Sequence, residues 1–248
     1  DQPYTDTRGR VMNQFFPPSN AYLIGGSNNL GGGLIEWAKG CLYKGEQSPY
    51  ELMQAEASSG RSTASQGRSG IVFLPNLLGA RAPSWDPDAR GAFIGLERHH
   101  DRGDMMRAIF ESIGFSIRDF LEVFRESGTI PEMITASGGL ARLTITNELK
   151  ATITGLPYHH MDESESTSLG AAIVVLCAIR QFEDYTEACR SIVRTRQIFL
   201  PRRHDQAYYD EMYGLYRDFS KSTAPLFRKR RDIMRAYRGG NLDYIENL

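Results

Sequence analysis

Apolar and polar positions along the chain fall into alternating short and long periods. Near the amino end, "GRVMNQFF" and "AYLIGG" flank the turn-rich "PPSN", which predicts a β-hairpin. In "SNNLGGGLIEWAKGCLY" an Asn- and Gly-rich start precedes apolar residues at Leu34, Ile35, Ala38 and Leu42, the spacing of a helix face. Residues 58–70, "SSGRSTASQGRSG", read as a flexible polar loop. "IVFLPNLLG" reads as a buried strand, and "ARAPSWDPDARGAF" as a turn-rich excursion. The longest helix is expected over about 103–127, where Met106, Ile109, Ile113, Ile117, Phe120, Leu121 and Phe124 recur at helical spacing and Gly128 follows as a stop.

Then comes "MITASGGLARLTITNELKATITG": a strand at 132–136, a glycine turn, and a helix over about 142–154. A strand at 157–161 and a helix of small residues over about 166–179 follow. The segment 183–235 reads as mostly helical and basic. Alternating strands and helices predict an α/β layered fold.

Composition changes this picture little. The 248 residues are 41% hydrophobic and 24% charged, enough for one large domain or two small ones with a sizeable core. A net charge of -1 gives no bulk attraction to nucleic acid or to a membrane surface. No run of 18 apolar residues occurs. Cys41, Cys177 and Cys189 have no metal-like spacing and read as reduced thiols of a cytoplasmic protein. The amino end "DQPYTDTRGRV" is polar, without a signal-peptide core or initiator Met, and hints at a piece of a longer polypeptide.

Candidate chemistry centres on the glycines. A strand running through Ser137-Gly138-Gly139 into a helix can aim backbone N–H groups at a phosphate; a tight strand-to-helix turn would use the same residues. Gly32 and Gly33 open another helix in the same manner. His99-His100 and His159-His160 are adjacent pairs, whose rings would face opposite ways on a strand, with no metal motif. Asp86 and Asp88 read as an Asx turn rather than a catalytic carboxylate pair. Arg107 and Glu111 have the spacing of a helix-surface contact. "FRKRRDIMRAYR" reads as a solvated basic face, with nucleic-acid contact as the lesser alternative.

In order, "TDTRGRV", "AYLIGGSNNLGGGLIEW", "IVFLPNLLGARAPSWDPDARGAFIGL", "RAIFESIGFSIRDFLE", "TASGGLARLTITNELKATITGLP" and "STSLGAA" resemble the C-terminal half of FGGY-family carbohydrate kinases, over about residues 5–220. That family includes xylulose, ribulose, gluconate and glycerol kinases. The resemblance implies an actin-like (ribonuclease H-like) ATPase fold and ATP- and Mg²⁺-dependent phosphorylation of a sugar or polyol hydroxyl. It makes residues 1–248 a single C-terminal domain, incomplete at its N-terminal edge, with the sugar-binding domain elsewhere.

The resemblance further implies that Gly138, Gly139 and Leu140 line the nucleotide site, with Gly32, Gly33 and Glu36 as a second wall. Leu143 stands where members often have Ser or Asn, Glu148 where Gln is frequent and Thr152 where Asp is frequent; Leu140 replaces Gly or Ala. These departures put polar contacts to adenine in question. "STSLGAAI", with Gly170, Ala171 and Ala172, is expected to pack closely behind the turn.

The family's general base and phosphate-binding hairpin find no counterpart here, so no catalytic or metal-ligating residue is assigned. The chain alone is expected to be a fragment without activity. The implied partners are a small sugar and ATP, with no nucleic acid or membrane, and a homodimer as an option for the intact protein. An inactive actin-like domain that binds nucleotide or a protein partner is the alternative.

Overall fold

The computed structural model describes residues 3–28, 31–59, 68–163 and 165–237. The predicted hairpin is β1 (Met12–Phe16) and β2 (Ala21–Gly25), antiparallel, with Phe16 opposite Ala21. Pro17–Ser19 forms a single 3-10 turn between them, closed by Asn20 at φ 48°. Helix α1 (Gly31–Leu42) buries Leu34, Ile35 and Ala38, as its spacing predicts.

Helix α2 (Pro49–Ser59) has no counterpart in the sequence reading. Its buried residues are Met53 and Ala57, one turn apart, a stripe too thin to signal a helix. The polar loop loses residues 58 and 59 to this helix, and residues 60–67 lie outside the described residues. β3 (Val72–Leu74) is fully buried and pairs antiparallel with β4 (Ala92–Ile94).

Helix α3 (Arg102–Glu126) starts at a capping box. Asp101 Oδ1 accepts from the Gly103 and Asp104 amides, at 2.8 and 3.2 Å, and Asp104 Oδ2 accepts from the Asp101 amide at 3.1 Å. Gly128, at φ 80°, follows the Ser127 cap. Burial extends beyond the predicted stripe to Phe110 and Phe115, because α3 runs through the middle of the core against α2, α4 and β3. α3 is not the longest helix, however. That is the last element, α7 (Gln206–Tyr237), which continues through Pro225.

A second layer is a three-stranded sheet in the order β5 (Ile134–Ala136), β6 (Tyr158–Met161), β7 (Thr195–Phe199). β5 and β6 are parallel, joined through α4 (Thr144–Thr154), and β7 adds antiparallel. β7 lies within the segment read as helical. Only Phe199 of its five residues is buried, so the strand carries almost no apolar signature.

Helix α5 (Ser166–Ala178) overturns the expectation of close packing. Ile173 alone is buried; Gly170 is half-buried, and Ala171 and Ala172 are exposed. α5 packs against α6 (Tyr185–Ile192) and meets the glycine turn at its start, where Ser166 Oγ is 2.8 Å from Ser137 Oγ. The three cysteines are free thiols. No described helix is long and apolar enough to cross a membrane.

Candidate nucleotide cleft

Three elements converge on one open cleft of about 740 Å³. The first turns of α1 bring Gly32, Ile35 and Glu36; α2 brings Tyr50, Glu51 and Gln54; the glycine turn brings Ser137, Gly139, Leu140, Arg142 and Leu143. Gly33 and Gly138, two of the predicted wall residues, do not line it.

The geometry of the turn explains the difference between its two glycines. Gly138 sits at φ 86°, ψ -172°, a conformation that essentially only glycine adopts, so it shapes the turn rather than the wall. Gly139 has no positive φ, and a Cβ built there meets nothing within 4 Å among the described residues. Neither backbone strain nor packing requires a glycine at that position. Among the described residues the same holds for Gly32, where a Cβ again meets nothing within 4 Å, although glycine costs helix stability. Both leave room at the cleft for another molecule's atoms.

The strand does not run straight into α4. Gly139–Arg142 form one 3-10 turn, and Leu143 is extended at φ -88°, ψ 101° before the helix begins. Ile35, Leu140 and Leu143 therefore supply apolar wall, with Glu36, Tyr50, Gln54, Ser137 and Arg142 as polar groups around it. Glu36 accepts hydrogen bonds from Lys39 and Tyr50, whose own polar atoms are 3.1 Å apart. These bonds, Lys39 foremost, hold the Glu36 carboxyl below its usual range and raise Lys39. An apolar slot with hydrogen-bonding groups at its rim suits a flat heterocycle with a polar edge.

Of the substitutions noted in the sequence, Leu140 and Leu143 face the cleft, and Glu148 and Thr152 do not. Thr152 is buried and donates to Glu148 O at 2.8 Å, while accepting from the Arg202 amide at 3.3 Å. Glu148 lies 3.9 Å from Arg202, also away from the cleft. The contribution of α2 was not legible in sequence.

The other candidates resolve into structure. Asp86 Oδ1 accepts from the Asp88 amide at 2.9 Å, the expected Asx turn. Asp88 pairs with Arg231, and Asp86 lies 3.9 Å from Arg228, so the turn clasps the far part of α7. His159 and His160 alternate along β6, but His99 and His100 occupy a turn with ring centroids 4.2 Å apart, not opposite faces. His100 Nδ1 accepts from the Glu97 amide at 2.8 Å and Nε2 lies 2.9 Å from Ser69 O, which suits a neutral ring donating from Nε2. Among the described residues no three His, Cys, Asp or Glu side chains converge as a metal site. Arg107 and Glu111 are not a surface contact: both are buried.

The sequence pattern of the FGGY family of carbohydrate kinases, C-terminal domain, matches residues 6–179. The chain belongs to that family. A xylulose kinase of Staphylococcus epidermidis is 28% identical over 221 residues, which are 89% of this chain and 43% of the relative. A gluconokinase of Bacillus licheniformis is 28% identical over 231 residues, 90% of this chain and 44% of that protein.

Among solved FGGY structures, gluconate kinase from Lactobacillus acidophilus superimposes with a TM-score of 0.82 at 29% identity, covering 92% of this chain and 45% of its own. Xylulose kinase from the same organism gives 0.79 at 29% identity, with the same coverage. The fold is thus that of the FGGY sugar kinases, an actin-like ATPase fold, and the chain spans less than half the length of the relatives it matches.

Proposed function

We propose that this chain is the nucleotide-binding half of an ATP-dependent carbohydrate kinase. The intact protein would transfer a phosphoryl group from ATP to a hydroxyl of a pentulose such as xylulose or ribulose, or of a sugar acid such as gluconate. The observation that carries the reading is the cleft itself, where Gly32 and Gly139 leave unfilled space between an apolar slot and a polar rim. Relatives named for xylulose and gluconate support the substrate class.

In this reading the base lies between Ile35, Leu140 and Leu143, and the phosphates pass the backbone of Gly139. ATP enters with Mg²⁺, which would lessen charge on the phosphates; no residue of this chain is assigned to the metal. The remainder of the protein supplies the sugar site and the general base, and the reaction belongs in the cytoplasm. Transfer of this kind rests on positioning and charge stabilisation rather than on covalent chemistry with the protein.

The test is a coupled ADP-release assay of the intact protein with ATP, Mg²⁺ and xylulose, ribulose, gluconate, glycerol and erythritol in turn. One of the first three should give the highest kcat/KM. ATP binding without turnover on any of them would leave a nucleotide-binding domain that is not a kinase. No ATP binding at all would remove the reading.

A further inference from the structure

We propose that Thr146 and Asn147 are positioning residues that hold the glycine turn in the shape of the cleft wall. The inference rests on the nucleotide reading above. Neither side chain reaches the cleft, and both are fully buried in the first turns of α4. Asn147 Nδ2 donates to Ala141 O at 2.7 Å. Thr146 Oγ1 lies 2.7 Å from Leu143 O and 3.2 Å from Leu140 O. All three carbonyls belong to the turn that carries Leu140, Arg142 and Leu143 into the cleft.

Packing holds part of the turn, since Ala141 and Leu143 are buried, and Leu143 O also accepts from the Thr146 and Asn147 amides at 3.1 and 3.3 Å. The turn's own backbone bonds, from the Ala141 amide to Gly138 O and from the Leu143 amide to Leu140 O, are both 3.2 Å long. Bonds in a single 3-10 turn are poorly aligned. Gly138 supplies the necessary dihedral but, lacking a side chain, no grip. Buried carbonyls need donors: the Asn147 side chain supplies one to Ala141 O, and the Thr146 hydroxyl adds to the backbone amides at Leu143 O, both side chains reaching back along the chain.

A second observation separates this role from ordinary packing. Asn147 Oδ1 is buried and has no protein partner among the described residues. An apolar side chain at this position would avoid that loss. The amide is therefore best accounted for by what its other end does, which is to restrain Ala141.

The test uses the intact protein, with Thr146→Val, Thr146→Ser, Asn147→Leu and Gly139→Val. Melting temperature, kcat, and KM for ATP and for the best sugar are measured for each. Thr146→Val and Asn147→Leu should each raise KM for ATP about tenfold, equivalent to about 1.4 kcal/mol. KM for the sugar should stay within about twofold, since the loss is local to the nucleotide wall. Thr146→Ser keeps the hydroxyl and should restore the ATP KM.

A lowered melting temperature with an unchanged ATP KM in both variants would overturn the proposal. If Asn147→Leu does not fold, Thr146→Val decides alone, because it exchanges a hydroxyl for a methyl of similar size. Gly139→Val separates the two layers of the argument. Should it leave ATP binding intact, the nucleotide reading fails and takes this role with it. Should it block ATP while the two variants behind the turn have no effect, the positioning role alone is wrong.

Discussion

Arg107 and Glu111, one turn apart on α3, meet at 3.0 Å inside the protein and share a third partner, Tyr209 of α7. Arg107 Nη2 donates to the Tyr209 hydroxyl at 3.1 Å, which in turn donates to Glu111 Oε1 at 2.9 Å. Arg107 Nη1 also reaches Ala57 O on α2, at 3.1 Å, so the group ties three helices. Burial raises the Glu111 carboxyl, and Arg107 opposes that rise. Arg107→Ala should destabilise by about 3–5 kcal/mol, because it leaves a buried acid unpaired. Replacing the pair together, Arg107→Met with Glu111→Leu, should cost much less. Urea unfolding of the three proteins decides; equal losses would mean the pair is not acting as a unit.

The two glycines of the turn should fail in different ways. Gly138→Ala forces a side chain into a conformation reserved for glycine and should cost about 1–3 kcal/mol of stability. A Cβ at Gly139 meets no atom of the described residues within 4 Å, so the melting temperature of Gly139→Val should move little while ATP binding is lost. Calorimetric titration alongside thermal unfolding gives both readouts. The reverse assignment of effects would contradict the geometry.

Lys150 makes stability depend on pH. Its ammonium is buried beside the Tyr158 hydroxyl, at 3.2 Å, and burial lowers its pKa from 10.5 to about 8. Between those values the unfolded chain holds the proton and the folded chain has released it, so folding becomes more favourable as pH rises. At pH 7 both states are charged and the full penalty remains. Lys150→Met should therefore stabilise the protein at pH 7, by on the order of 3 kcal/mol. The gain should shrink from about pH 8 and be gone above about 10.5. A gain independent of pH would show that Lys150 is not held against its charge.

The 248-residue chain by itself should release no ADP in response to any sugar. Glu36 is engaged by Lys39 and Tyr50, and Asp86 and Asp88 face arginines of α7, so these carboxylates are committed. Sugar-dependent turnover that Gly139→Val abolishes would require a base among these residues after all.

The hairpin, α1, α3 and the β5–α4–β6 unit were legible in sequence because each carries strong periodicity or turn chemistry. α2 and β7 were not, since Met53 and Ala57 in one and Phe199 in the other are their only buried side chains. Arg107 and Glu111 looked like an exposed pair because local spacing cannot reveal Tyr209, nearly a hundred residues away. Small residues in α5 read as a packing signal, yet the helix carries exposed Val174 and Val175. At the cleft, the glycines pointed to the place. The wall from α2 and the restraint from Thr146 and Asn147 needed the fold.

The long helix α7 is anchored unevenly. Tyr209, Met212, Tyr213 and Tyr216 are buried within its first three turns, and nothing beyond them is. Pro225 then removes an amide from the ladder, and the far portion rests on Phe227 and on the arginines that meet Asp86 and Asp88. At 1.5 Å per residue the helix extends about 48 Å. Its amides should therefore exchange with deuterated solvent in two classes. Those before Pro225 should wait for global unfolding, and those after it should open locally, faster still in high salt as the arginine contacts are screened.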